Sequence, residues 1–325
     1  MKQNRLLQSL FEVAIGKKDI KFPKSRSLAF KLFNKVSNSN KYANQYLISE
    51  QIGNHELLLP LNHRLPWTFK NNPLYSKNLG RISKYITKFH PGGITILDIG
   101  ANIGDSAFLL RENEDNNTII CIEGNPEYLE LLKVNIKQLK HVEIVESFVG
   151  SNSENKLAEV ISDGKGSSFV KESMDGHSTQ YLSLADIIRA TCGNDFKNGL
   201  LKIDTDGYDC QIIKGNIDCI KIFKPVIFFE YAPAWFPEGK DSQSDIFKFL
   251  SDNGYAYFIF YDGIGNYLIS CGMNDLDIVS KEMHFYFSCG TRFGDIAAFN
   301  EKDEELFIYT VNQEKLFFQN YYLEH

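Results

Sequence analysis

The chain has 325 residues, 43% of them hydrophobic and 23% charged. That is enough for an α/β domain with extensions and too apolar for disorder. The net charge of −6 is uneven: residues 1–41 hold ten Lys and Arg against Glu12 and Asp19, a local +8 that leaves −14 on the rest.

A basic arm on an acidic body suits an anionic partner such as a membrane surface, or a solvated helix face docked on its own acidic remainder. No nucleic-acid partner is expected. Six cysteines at 121, 192, 210, 219, 271 and 289 form no CxxC and no Cys/His cluster. They exclude a disulfide framework and a structural zinc and suit a reducing compartment, hence the cytoplasm. No apolar run approaches the length of a membrane span, and the N-terminus lacks a secretory signal. The closing residues Leu323 to His325 resemble an affinity-tag remnant.

In chain order, residues 5–15 carry apolar residues at helical spacing, and Gly16 stops the run. A second helix is expected over 26–37, two strands around Gly53-Asn54 within 45–61, and a helix near 76–89. From residue 94 the rhythm changes. "ITILDIG" reads as a strand, 104–112 as a helix, "NTIICIEG" as a strand and "PEYLELLKVNIKQL" as a helix with Pro126 in its first turn. "VEIVESFVG" reads as one strand. Residues 151–183 read as an irregular hairpin and a loop carrying "DGKGSS", and "SLADIIRA" as a short helix. "NGLLKIDTDG" is a buried strand followed by a helix to about 215, and "KPVIFFEYA" is another buried strand. "SQSDIFKFLSDNG" is a helix, "YAYFIFYD" a strand, and "KEMHFYFSCG" is taken as a strand.

Apolar strands alternating with helices imply a doubly wound, mostly parallel sheet with helices on both faces. Residues 1–90 are then an N-terminal extension of basic helices, hairpin and lead-in helix, and 91–322 the main domain. Ligands in such folds bind at the carboxyl ends of the strands. Asp98, Glu123, Asp204 and Glu230 all fall there.

The turn "DIGANIGDS" holds Gly100 and Gly104 and opens a helix. Such a turn lets a ligand approach backbone N–H groups, as dinucleotides and S-adenosylmethionine both do. The dinucleotide fingerprint G-x-G-x-x-G is incomplete here. Asp98 would repel a diphosphate and welcome a ligand bearing ammonium and sulfonium groups, which favours S-adenosylmethionine. The expected cofactor edge comprises Asp98, Gly100, Asn102, Gly104, Asp105 and Ser106, with Glu123, Gly124 and Asn125 at the ribose. Ser147, Phe148 and Val149 should lie beside the adenine. An NAD-dependent oxidoreductase and a non-catalytic cofactor-binding partner subunit are the alternatives.

"ILDIGANIGDSA", "CIEGNPEYLELLKVNI", "LLKIDTDGYDCQIIKGN" and "PVIFFEY", in that order, resemble the FkbM family of S-adenosylmethionine-dependent methyltransferases over roughly residues 94–300. "LPLNHRLPWTFKNNPLYSKNLGRI" resembles the lead-in of its bacterial members. The resemblance implies a class I methyltransferase fold and O-methylation of a sugar, polysaccharide or polyketide hydroxyl. The family's D-x-E-G is here Asp204-Thr205-Asp206-Gly207, whose shorter second carboxylate changes what it can reach.

A sugar hydroxyl hardly ionises at neutral pH, so a base helps methyl transfer to it. Asp204 and Glu230 are the catalytic candidates, with His284 as a further base if its segment returns to the site. Asp206, Tyr75 and Arg81 are expected on the substrate side. His63 and Arg64 suit an anionic substrate group or a solvated loop, and Lys202 points away from Asp204 or pairs with an acid. Carboxylates acting as base and hydroxyl acceptors are favoured over a metal site.

Overall fold

The computed structural model describes every residue except 19–22, 40, 41, 43, 44, 114, 115, 163–165, 167, 173–175, 194, 195, 197, 198 and 325. A short strand β1 (Lys2–Gln3) precedes helices α1 (Arg5–Ile15) and α2 (Pro23–Ser37). The Asn4 side chain accepts from the Leu6 and Leu7 N–H groups to start α1, and Gly16, at φ +85°, ends it. The hairpin of β2 (Tyr46–Ile52) and β3 (His55–Pro60) follows, then α3 (Leu65–Asn71) and α4 (Lys77–Phe89).

The alternating part begins with β4 (Thr95–Ile99), α5 (Asp105–Asn113), β5 (Thr118–Glu123), α6 (Pro126–Asn135) and β6 (Val142–Glu146). Four strands come next without a helix: β7 (Phe148–Gly150), β8 (Glu154–Ser162), β9 (Ser168–Glu172) and β10 (His177–Ser183). Alternation resumes with α7 (Leu184–Thr191), β11 (Leu200–Ile203), α8 (Asp209–Gly215), α9 (Ile217–Phe223), β12 (Val226–Tyr231), α10 (Ile246–Asp252) and β13 (Tyr255–Tyr261). The chain closes with β14 (Tyr267–Gly272), α11 (Leu276–Ser288), β15 (Gly294–Asn300) and α12 (Glu304–Glu324).

The central sheet has the order β14-β13-β15-β12-β11-β4-β5-β6. Strands β12, β11, β4, β5 and β6 pair in parallel. β15 is antiparallel to both β12 and β13, so β13 runs with the parallel set. Successive residues of a strand point to opposite faces. Ile96, Ile119, Leu200 and Phe228 therefore join one core, and Leu97, Ile120, Leu201 and Ile227 the other. Phe11, Phe33, Leu57 and Leu59 of the extension belong to the first core, so the N-terminal helices and hairpin roof that face. This is the doubly wound, mostly parallel architecture the alternation implies.

Three local expectations are corrected. "VEIVESFVG" is two strands: Ser147 breaks the run, its hydroxyl donating to the carbonyls of Phe148 and Gln180, and β7 joins a second sheet of order β7-β10-β8-β9. The described parts of 151–183 form β8, β9 and β10, regular strands rather than irregular chain, with β8 and β9 pairing as the expected hairpin; most of the expected "DGKGSS" loop lies outside the described residues. "KEMHFYFSCG" is largely helix α11, which buries Met283 and Phe287 one turn apart. Among the described residues, no helix is long and apolar enough to cross a membrane.

Candidate functional site

The turn after β4 runs through positive φ at Gly100 (+74°), Asn102 (+49°) and Gly104 (+95°). At position 100 only glycine fits, because a Cβ there would stand 1.9 Å from the Asp204 carbonyl oxygen. The ends of β4 and β11 are thereby pressed together. Asn102 N–H donates to Glu123 Oε2 at 2.8 Å, and Asn125 N–H to Oε1 at 2.6 Å. Glu123 therefore braces the loops after β4 and β5. Burial holds its carboxyl above the usual range in spite of those N–H groups.

A cavity of about 490 Å³ opens over these strand ends. Glu123, Gly124, Ser147, Phe148 and Val149 wall one side, and Asp204, Thr205 and Tyr208 the other. The Phe148 ring lies so close over Gly124 that a Cβ there would be 2.4 Å from it. A second cavity of about 250 Å³ adjoins it, lined by Tyr75, Asp105, Ser106, Lys202, Glu230, Trp235, Phe293 and Asp295, with His63 and Arg64 from the lead-in. Gly100, Asn102, Asp204 and Asp206 border both cavities. Asp206 is itself at φ +51°, so Asp204 and Asp206 reach this junction through a kinked turn.

Carboxylates crowd the smaller cavity. Burial first, then the neighbouring carboxylates, pushes Asp105 up to about 6 and Asp295 up to about 7, and raises Glu230 well above the carboxylate range. Asp209, buried behind them and also pushed up to about 7 by burial and Asp204, accepts from Thr205 N–H and Oγ1 and from Glu230 N–H. It ties the Asp204 turn to β12. Lys202 donates to the Gly100 carbonyl at 2.9 Å and sits 2.9 Å from Asp98 Oδ1 and 3.7 Å from Asp204 Oδ2. Burial pulls the Lys202 ammonium down, but Asp98 and Asp204 outweigh it and hold it above the ordinary lysine value. Among the described residues, no three His, Cys, Asp or Glu side chains converge as metal ligands do.

Five expected site residues lie elsewhere: Asp98, Gly104, Asn125, Arg81 and His284. Asp98 is completely buried, accepts from Ser106 Oγ and is neutralised by Lys202. It stands behind the cavity wall, and the carboxylate exposed at the junction is Asp204, about half exposed. Asn125 is buried and caps α6 by accepting from Glu127 N–H. Arg81 is buried in an ion pair with Glu314, at 2.7 and 2.8 Å, under the Phe317 ring, where it fastens α12 to α4. His284 lies on α11, bonded to the Tyr231 hydroxyl at 2.7 Å and to Asp241 at 3.0 Å. Neither Arg81 nor His284 borders either cavity. Gly104 turns the chain into α5 against Leu132. Of the acids the sequence reading passed over, Asp295 had a readable signal: it opens an antiparallel strand, whose start lies beside the carboxyl ends of its parallel neighbours.

Residues 98–257 match the model of the methyltransferase FkbM domain. No curated protein matches the chain. Among solved structures it resembles the precorrin-6y C5,15-methyltransferase of Geobacter metallireducens at 16% identity, over 64% of this chain and 80% of that one, with a TM-score of 0.34. It also resembles the O-methyltransferase of Bacillus cereus in complex with SAH (12% identity, 68% and 80% covered, TM-score 0.37) and the fibrillarin pre-rRNA processing protein of Methanococcus jannaschii (11%, 64% and 67%, 0.35). These likenesses are distant, and the architecture rests on the sheet order itself. The family match spans the β4 turn, Glu123, the Ser147–Val149 wall, Asp204 and Glu230, and over these residues the chain carries a methyltransferase FkbM domain.

Proposed function

We propose that the chain transfers the methyl group of S-adenosylmethionine to a hydroxyl of a sugar, polysaccharide or glycosylated small molecule. S-adenosylmethionine is the methyl donor, and the larger cavity fits it. Phe148 and Val149 offer an apolar wall for the adenine, Glu123 keeps acceptor lone pairs for ribose hydroxyls, and Asp204 can meet the ammonium group. When bound, the cofactor supplies an electrophilic methyl carbon. The dinucleotide and non-catalytic alternatives fall with the family match.

One observation supports the acceptor assignment above the rest: the cofactor-sized cavity adjoins a second, acid-lined one across Asp204 and Asp206. Carboxylates accept hydrogen bonds from hydroxyls, and Trp235 and Phe293, stacked with ring centroids 5.7 Å apart, present aromatic surface to a sugar ring's C–H face. Holding a hydroxyl beside the methyl carbon supplies most of the rate through alignment.

The test is incubation with isotopically labelled S-adenosylmethionine and a panel of oligosaccharides and amines. Label in an ether linkage on a sugar is expected. Label appearing only on nitrogen would overturn the hydroxyl assignment.

A further inference from the structure

We propose that Asp295 is the general base for the acceptor hydroxyl and that Glu230, directly opposite it on the neighbouring strand, stays protonated and shares one proton with it. The inference rests on the reading that the smaller cavity receives a hydroxyl. Glu230 and Asp295 are register partners in the antiparallel pair of β12 and β15, which puts both side chains on one face of the sheet, and both line that cavity. Two carboxyl groups held this way do not both ionise readily.

Their surroundings decide which one keeps the proton. Glu230 Oε2 is buried with no hydrogen-bond partner among the described residues, and the carboxylates of Asp204, Asp209, Asp295 and Asp206 surround the group. Asp295 Oδ2 instead accepts from Asn78 Nδ2 of α4 at 2.8 Å, a bond that favours its anion. Lys202 acts on Asp295 from β11, but it is already committed to Asp98 and Asp204. Asp262, after β13, opposes ionisation, as does Asp204. Tyr75, Asp105, His63 and Arg64 line the same cavity, and burial together with the nearby carboxylates keeps the Tyr75 phenol neutral. A base that titrates near 7 is matched to its task, and the pair titrates as a unit.

In the step, the hydroxyl oxygen forms a bond to the methyl carbon while the carbon–sulfur bond breaks. The electron pair stays on sulfur and cancels the sulfonium charge, and the hydroxyl proton passes to the Asp295 carboxylate. The positive charge lost from sulfur and the negative charge lost from Asp295 balance.

The test compares Asp295→Asn and Glu230→Gln. Asparagine at 295 is expected to lower turnover by roughly 10²- to 10⁴-fold at every pH, with S-adenosylhomocysteine affinity unchanged. Glutamine at 230 mimics the protonated acid but cannot exchange its proton, so turnover falls less than in Asp295→Asn and the acid limb of the pH–rate profile moves to lower pH. Carboxyl carbon NMR of the ligand-free chain gives a reading that needs no acceptor. The Asp295 carboxyl should titrate near neutrality in the wild type and at lower pH in Glu230→Gln. An equal loss of turnover in both variants, or an Asp295 titration indifferent to residue 230, overturns the proposal. If no sugar is methylated, the NMR titration still decides the proton pair, so failure of the acceptor assignment is told apart from failure of the dyad.

Discussion

Lys202 is a cross-strand neighbour of Asp98 in the parallel pair of β11 and β4, and its ammonium also reaches the Gly100 carbonyl and Asp204. One buried cation thus sets the charge on both sides of the β4 turn. Lys202→Met should leave Asp98 as an uncompensated buried charge, costing about 3–5 kcal/mol and lowering Tm by on the order of 10 °C in a thermal melt. A variant that melts like the wild type would remove Lys202 from this role. Asp98 was legible in the sequence as an acid ending a strand before two glycines. That Lys202 could pair with an acid was legible as well, but not that the acid is Asp98, because the two lie on strands distant in sequence. Held by Lys202, Asp98 borders neither cavity, and Asp204 is the carboxylate exposed where the two cavities meet.

Between elements, the geometry is decided at the strand ends. Parallel strands deliver Glu123, Asp204 and Glu230 to one edge, and an antiparallel insertion brings the start of β15, with Asp295, to the same edge. The folded chain raises the Asp105, Asp209 and Asp295 carboxyls to about 6, 7 and 7. Protons bind these groups more tightly in the fold than in the unfolded chain. Their penalty is absent below their unfolded values near pH 4 and fully present above about pH 7. The Tm of the ligand-free chain is therefore expected to fall by several degrees between about pH 5 and about pH 8. A melting temperature that rises across that window would refute the raised values. The strands themselves were readable from their apolar runs. The break at Ser147 and the helix of 276–288 were not: a polar edge sheet masks its period, and a short aromatic run fits strand and helix alike.

For the whole molecule, the N-terminal extension is inseparable from the site. It shares the core on one face of the central sheet, and its lead-in brings His63, Arg64 and Tyr75 to the smaller cavity. Part of its basic charge is answered within the chain: Lys17 pairs with Glu50 and Lys18 with Glu12, while Lys31 and Lys35 remain exposed. Deleting residues 1–90 should uncover the apolar face over Ile96 and Ile119 and yield an aggregating chain, read by size-exclusion chromatography. A soluble monomer from that deletion would overturn the shared core. The sequence by itself determined the alternating strands and helices, the glycine turn after the first central strand and the acids at strand ends, because periodicity and backbone sterics act over a few neighbouring residues. Only the tertiary structure decided which acid lines the cavities, which is neutralised and which pair stands opposite each other on neighbouring strands. Those outcomes depend on strand register and burial, which bring together charges far apart along the chain.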